Sequence, residues 1–249
     1  MLKYQEKAIN IINSYTLSTL PHTIAIIGDK GSGRRTLLQY MVDSYNIECE
    51  DITFNISLDK INDVILSNTI KFYLIQIDDI TEKVQNSLLK LLEEPSDTNY
   101  IVLIAENADS MLSTIYNRCF VIEMEHYTKE QLSSFTSDEF ILGIVKTPGQ
   151  VLDLANNNIA DIQSLCRKIF ACIKTANFAN CLVLPNKLKF KSDEKGFDCD
   201  IFFKMLLVES SQESFERYIL TKEFYRNTKI PHIDKKKLYE KYLLELKQL

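Results

Sequence analysis

Short apolar runs rich in β-branched residues alternate with helical patterns through the first half of the chain. The apolar runs lie at 22–27, 52–56, 72–77 and 101–105, with a weaker fifth at 119–122. The helical patterns between them fall near 34–45, 59–69, 81–93 and 109–116. Such runs are typical of strands buried on both faces, and strands that alternate with helices require crossover connections. The pattern therefore predicts an α/β domain with a parallel sheet between two layers of helices.

Beyond about residue 126 the strand-like runs nearly stop, while helical periodicity continues. The helical patterns lie near 128–135, 137–145, 148–156, 159–178, 199–209, 211–226 and 234–247. A stretch with Pro185 and several lysines, at 182–198, predicts a loop. We therefore expect an α/β plus all-α protein with three parts: an α/β core at 1–125, a small helical lid at 126–160 and a helical domain at 161–249.

The composition is that of a globular protein, with 45% hydrophobic and 25% charged residues in 249. No apolar run approaches the roughly 18 residues of a membrane span, and the first residues lack the apolar core of a secretory signal. The six cysteines are dispersed and form no C-x-x-C pair, which argues against a zinc site or a disulfide framework. These features predict a cytoplasmic protein without a membrane partner or a bound metal.

Charge is divided unevenly along the chain. Residues 1–150 hold 12 Lys/Arg and 21 Asp/Glu, whereas residues 151–249 hold 17 and 13. An acidic first part and a mildly basic second part suggest two modules. A dedicated DNA-binding domain is normally strongly basic, so the charge balance does not favour one here.

The turn after the first apolar run has the glycine spacing of a phosphate-binding loop. Gly28 and Gly33 stand as in G-x-x-x-x-G-K-[ST], with Gly31 between them, and the flanking strand and helix are those that the motif requires. Arg34 replaces the lysine, Arg35 replaces the hydroxyl that would hold Mg²⁺, and Thr36 comes one residue late, about 100° around the helix. Arginine is a bulky planar donor and not an equivalent of lysine in a tight cradle. We expect weak or absent binding of ATP and Mg²⁺.

The third apolar run ends in two acids, Asp78 and Asp79. In P-loop enzymes the first acid in this place holds Mg²⁺ and the second polarises water. Without a hydroxyl partner in the loop, Asp78 need not hold a metal. An acidic strand end that caps the next helix is an equally good interpretation of this pair.

These segments, in this order, resemble the clamp-loader AAA+ family of bacterial DNA polymerase III, and most closely its delta-prime type. The resemblance runs through Gly28–Gly33, Asp78-Asp79, the 86–95 stretch N-S-L-L-K-L-L-E-E-P, Asn107 and the 114–119 stretch T-I-Y-N-R-C. It covers about residues 1–160, while the remainder is similar to the family's lid and collar domains only loosely.

The resemblance implies an AAA+ core with a helical lid and a C-terminal helical collar that joins a ring of subunits. Asn107 matches the family's polar sensor, and Gln150 stands where a second sensor has arginine. Arg118 matches the arginine that the family inserts into the ATP site of a neighbouring subunit. A chain with an altered site of its own and an intact arginine for a neighbour is expected to support hydrolysis by others.

By this resemblance the chain is expected to be a non-hydrolysing stator that assembles with gamma/tau-type ATPase subunits and the delta subunit to load the sliding clamp on primed DNA. Two alternatives stay open. One is an active gamma-type ATPase in which Arg34 replaces lysine and Thr36 serves after a small shift of the helix. The other is a P-loop-derived interaction adaptor. For Arg118 alone, an ion pair with a nearby carboxylate is the simpler interpretation.

Overall fold

The computed structural model describes residues 2–93, 96, 98–137, 139–156, 159–173, 188–189, 197–228, 230 and 233–249. The chain divides into two compact units, Met1–Val151 and Leu152–Leu249. The expected boundaries at 125 and 160 remain predictions, as does the assignment of the lid and the collar. Among the described residues, no helix has the length and apolar character needed to cross a membrane.

The first unit is built on a five-stranded sheet in which every neighbouring pair is parallel. Its strands are β1 Thr23–Ile27, β2 Cys49–Asp51, β3 Lys71–Gln76, β4 Asn99–Ala105 and β5 Phe120–Glu123. The spatial order is β2-β3-β4-β1-β5. Because the strands are parallel, the loops after β1, β3, β4 and β5 all emerge at one edge of the sheet, where ligands of open α/β sheets bind. The predicted parallel α/β core is confirmed.

Helices cover both faces of this sheet. In the first unit they are α1 Glu6–Asn13, α2 Arg34–Tyr45, α3 Leu58–Leu66, α4 Glu82–Glu93, α5 Ser113–Tyr116, α6 Lys129–Leu132 and α7 Glu139–Ile144, and α8 Pro148–Asn156 spans the boundary. One face of the sheet packs on Leu37 and Met41 of α2, and the other on Leu88 and Leu91 of α4. Strands covered on both sides have nearly continuous apolar sequences, and β1 and β4 are buried along their whole lengths.

The predicted second strand lies three residues too late. Residues 52–56 were expected to be extended, but β2 is Cys49–Asp51 and a turn follows it. The Asp51 carboxylate accepts hydrogen bonds from the backbone N–H of Thr53 and from its hydroxyl, which ends the strand. Phe54, which the pattern placed inside the strand, is 80% exposed. β2 is an edge strand, so its sequence can be polar. A search for an apolar run therefore misplaced this strand.

The second unit is helical around an aromatic core. Its helices are α9 Ile159–Ile173, α10 Cys199–Ser210, α11 Phe215–Asn227 and α12 Lys235–Leu246. Phe203, Phe224 and Tyr239 pack with ring centroids 4.9–6.0 Å apart. Two strands of two residues each, β6 Leu188–Lys189 and β7 Phe197–Asp198, pair in parallel within the predicted loop. The rest of 182–196 and the end of the predicted 159–178 helix lie outside the described residues.

Candidate functional site

The loop between β1 and α2 keeps the backbone shape that its glycines permit. Gly31 and Gly33 have φ of 84° and 104°, in the left-handed region that side chains disfavour. A Cβ on Gly28 would lie 2.6 Å from the Cβ of Met124, so this position also requires glycine. Gly33 is the N-cap of α2, whose free N–H groups and dipole suit an anion. The scaffold of a phosphate loop is therefore present.

Three consecutive carbonyl oxygens of this loop accept hydrogen bonds from the segment that follows β5. The acceptor and donor pairs are Lys30 O with the Thr147 hydroxyl (2.8 Å), Gly31 O with the Gly149 N–H (3.0 Å) and Ser32 O with the Tyr127 hydroxyl (3.0 Å). We call these three hydrogen bonds the loop latch. Burial raises the pKa of Tyr127, so its hydroxyl keeps the proton that the latch uses. The loop is thus tied by three hydrogen bonds to the segment that follows β5.

Arg34, in the place of the P-loop lysine, pairs with the acid that would hold Mg²⁺. Its guanidinium lies 3.3 Å from the Asp78 carboxylate, and the two side chains are 11% and 28% exposed. The same carboxylate accepts a hydrogen bond from the Glu106 N–H at the end of β4, at 2.9 Å. The Asp78 carboxylate therefore pairs with the Arg34 guanidinium, whereas the corresponding acid of an active P-loop site binds a metal ion.

Arg35 is engaged with the ends of two neighbouring strands. It contacts Asp51 at 3.2 Å and the side-chain carbonyl of Gln76 at 3.3 Å, and the Gln76 amide donates to Asp79 at 3.0 Å. The second acid is thus linked to Arg35 through Gln76. Thr36, the first hydroxyl after the motif position, is exposed on α2.

The two sensor-like positions make local contacts. The side-chain oxygen of Asn107 accepts from the Ser110 N–H at 2.9 Å and caps a short 3-10 turn. The side-chain oxygen of Gln150 accepts from the Lys146 N–H at 2.8 Å, beside the latch. Asn107 lies in the segment that follows β4, and Gln150 lies in the first turn of α8. No described contact joins either of them to Asp78 or Arg34.

Arg118 follows α5 at the surface of the first unit. One of its nitrogens donates to the Thr114 carbonyl at 2.7 Å, and the other lies 2.7 Å from the Glu93 carboxylate. The two side chains are 37% and 50% exposed. An exposed pair of this kind contributes about 0–1 kcal/mol, so it can be exchanged for a stronger anion. The ion pair considered from the sequence exists, and its weakness is compatible with a second role for Arg118.

Gln85 positions the segment that leads to Arg118, and the sequence did not single it out. It is 4% exposed on the inner face of α4. Its amide donates to the Ser110 carbonyl, and its oxygen accepts from the Leu112 N–H, each at 3.0 Å. A polar residue three positions before Leu88, on the apolar face of the helix, is the signal that could have found it.

A cleft of about 420 Å³ opens beside the loop. Its lining combines apolar side chains with charged groups: Asp29, His126, Tyr127, Lys129, Leu132, Leu142, Val145 and Lys146. Among the described residues, no group of His, Cys, Asp and Glu is arranged to hold a metal ion.

Comparisons with known proteins agree with this geometry. A family model described as DNA polymerase III, delta subunit, matches residues 44–128. DNA polymerase III subunit gamma of Buchnera aphidicola subsp. Schizaphis graminum is 25% identical over 233 residues, which cover 74% of this chain and 62% of that protein. DNA polymerase III subunit delta' of Bacillus subtilis is 32% identical over 100 residues, 39% of this chain and 29% of that protein. The chain thus spans less than two thirds of either relative.

A solved structure shares the fold over nearly the whole chain. It is a DNA polymerase III, gamma subunit-related protein from Thermotoga maritima, with a TM-score of 0.52, 17% identity and 98% of each chain covered. The parallel sheet and the glycine loop at its edge define an AAA+ P-loop fold. The family model and the sequence relatives support the resemblance of the chain to the clamp-loader subunits of DNA polymerase III. The resemblance found in the sequence is confirmed at that level.

Proposed function

We propose that the chain is a non-hydrolysing, delta-prime-type stator of a clamp loader. In this role it assembles in the cytoplasm with gamma/tau-type ATPase subunits and a delta subunit, and the complex loads the sliding clamp on primed DNA. Its contribution to catalysis is Arg118, which reaches the ATP site of a neighbouring subunit. The chain itself holds no working nucleotide site.

The Arg34–Asp78 ion pair is the observation that carries this proposal. To bind Mg-ATP as a P-loop enzyme does, Asp78 would exchange a guanidinium at 3.3 Å for a hydrated Mg²⁺ ion. Arg34 would then be left as a bulky cation in a cradle built for lysine. Arg35 cannot supply the missing hydroxyl.

The trans role of Arg118 is supported by its accessibility and by its weak partner. A guanidinium that is 37% exposed at the rim of the sheet can meet a neighbouring subunit. Charge on a transferred phosphoryl group is a much stronger partner for a guanidinium than an exposed carboxylate in water. Arg118 would therefore leave Glu93 only when a neighbour presents its nucleotide.

Assembly through the second unit is supported by apolar side chains on the outer surface of α11. Phe215 and Ile219 lie one helical turn apart and are 73% and 42% exposed. Exposed apolar side chains in this arrangement are typical of interaction sites. We propose that this surface helps to join the chain to the other subunits.

Calorimetry with Mg-ATP tests the absence of a nucleotide site. We expect no binding heat from the full chain at millimolar nucleotide, whereas an intact site with micromolar affinity would give a saturating isotherm with a binding free energy of about −8 kcal/mol. The variant that combines Arg34→Lys with Arg35→Thr rebuilds the complete motif within the same glycine frame. A gain of binding in this variant, but not in an Arg226→Lys control, would assign the loss to those two residues.

An active gamma-type ATPase is the second candidate. The Buchnera relative is a gamma subunit, and the left-handed glycines that shape a phosphate cradle are retained here. This candidate predicts a micromolar Mg-ATP isotherm and turnover that Asp78→Asn abolishes. Either result would overturn the stator assignment.

A further inference from the structure

The exposed apolar side chains of the first unit are concentrated in one segment. Among its residues of described burial, the Phe, Leu and Ile side chains with high exposure are Phe54 (80%), Leu58 (73%), Leu66 (76%) and Ile70 (47%). All four lie within 54–70, which comprises the turn after β2, helix α3 and the approach to β3. Scattered apolar residues need no explanation, but a group of four confined to one segment does.

Helix α3 carries an apolar stripe on its outer surface as well as on its inner one. Ile61 and Val64 are buried against the sheet. The outer stripe consists of Leu58, Asn62 and Leu66, which are spaced four residues apart. Each step of four residues turns only about 40° around the helix, so the three residues lie on one side of it. Leu58 and Leu66 are both exposed to solvent, and Asn62 lies between them. A helix whose only partner is its own sheet would carry polar residues there.

Acidic side chains border the outer stripe. Asp59 and Asp63 lie one turn apart beside it, and neither forms an ion pair within the described residues. The nearby lysines are already paired, Lys60 with Glu50 and Lys71 with Glu48. The surface that faces solvent therefore carries two exposed leucines, one on each side of Asn62, and is negatively charged at its edge.

We infer that this α3 face, defined as Phe54, Leu58, Asn62, Leu66 and Ile70 with Asp59 and Asp63 at its border, docks a protein partner. Its occupant presents apolar side chains surrounded by lysine or arginine, because only such a surface buries the leucines and also compensates the two carboxylates. Nucleic acid does not fit, since its phosphates would meet unpaired carboxylates.

The identity of the partner rests on the proposed function, which supplies the proteins to be tested. The purified gamma/tau-type ATPase subunits, the delta subunit and the sliding clamp are each added to the full chain, and primed DNA is added separately. Hydrogen exchange is followed in peptides that cover 54–70. We expect slower exchange with one of the protein components and no change with DNA.

Substitutions at the face then test its chemistry. Leu58→Ser and Leu66→Ser should each weaken binding of that component about tenfold, since central apolar contacts dominate interfaces. The Asp59→Lys, Asp63→Lys double variant should weaken binding by a similar factor and lose the salt dependence of the wild type. Asn62→Ser in the same stripe and Asp43→Lys on exposed α2 are matched controls that should bind as the wild type does. The replaced side chains are exposed, so the fold should tolerate all of these changes.

The outcomes separate the two proposals. If the proteins assemble with the chain while the leucine and aspartate variants bind unchanged, the docking inference is wrong and the proposed function stands. Slower exchange with DNA alone, or tighter binding after the charge reversal, would also overturn the inference. If none of the protein components binds the chain, both proposals fall.

Discussion

The backbone of Gly149 is packed directly against that of Gly31, 118 residues earlier in the chain. The Gly149 N–H donates to the Gly31 carbonyl at 3.0 Å, and a Cβ on Gly149 would lie 2.5 Å from the Gly31 Cα. No side chain fits between two backbones at this distance. The phosphate-type loop and the start of α8 are therefore held together by an approach that only glycine allows.

Replacing Gly149 with alanine should push the backbones of Gly149 and Gly31 apart. We expect Gly149→Ala to lower the free energy of unfolding by about 1–3 kcal/mol, because the added methyl group meets backbone that cannot move aside cheaply. Gly143 in α7 has open space around it, so Gly143→Ala should raise stability by about 0.5 kcal/mol through helix propensity. Urea unfolding of the full chain measures both. Equal effects of the two substitutions would contradict the close packing.

Removing the guanidinium of Arg118 should affect hydrolysis and not folding. Arg118→Ala loses an exposed ion pair, so stability should change by less than about 1 kcal/mol. An arginine that enters the ATP site of a neighbouring subunit accelerates hydrolysis at that site roughly 10³–10⁵-fold. Because the other sites of a ring would keep working, we expect a partial loss of DNA- and clamp-stimulated ATP hydrolysis in the reconstituted complex.

Two further variants sharpen this test. Arg118→Lys should rescue hydrolysis poorly, because a point charge cannot copy the planar fork. Glu93→Gln removes the competing carboxylate and should leave hydrolysis intact or raise it. Unchanged hydrolysis and clamp loading with Arg118→Ala would leave only the ion pair with Glu93 as the role of Arg118.

Gln85 should be required for stability although it is polar and touches no ligand. Gln85→Ala leaves the Ser110 carbonyl and the Leu112 N–H without their partner in a largely buried place, which should cost about 2 kcal/mol. The next residue, Asn86, is exposed, and Asn86→Ala should change stability by less than about 0.5 kcal/mol. Thermal unfolding of the two variants side by side gives the comparison. A Gln85→Ala variant as stable as the wild type would contradict the bridging role.

The Cys119 thiol should make the first unit sensitive to alkali. Burial raises its pKa to about 12. In the unfolded chain the thiol ionises near its ordinary value, so the stabilisation is complete below about pH 9 and is lost as the pH rises toward 12. We expect a loss of about 1 kcal/mol per pH unit in this window, measured by urea unfolding. Cys119→Ala should show a shallower dependence, and an identical one would count against the burial of the thiol.

The sequence was a good guide to the parts of the fold that repeat a simple pattern. Helices α2 and α4 begin and end within a residue of their predicted limits, because apolar periodicity and the glycine before α2 mark them clearly. β2 was misplaced because an edge strand does not need an apolar sequence. Helix α1 was not predicted, and the 109–116 helix divides into a 3-10 turn and the short α5.

The site shows a similar division. The glycine spacing predicted a phosphate-type loop, and the left-handed Gly31 and Gly33 agree with it. The pairing of Arg34 with Asp78 joins residues 44 positions apart, so no local pattern could reveal it. The loop latch spans about 95–120 residues and uses backbone groups, which leave almost no trace in the side-chain sequence.

The loop latch sets a lower limit on any fragment meant for expression by itself. A fragment that stops at the end of β5 would lack Tyr127, Thr147 and Gly149, and would leave three loop carbonyls to be solvated by water. Its nucleotide-binding properties would describe a relaxed loop and not the native one. A piece that keeps all three latch donors must continue at least through Gly149, and the first compact unit ends at Val151.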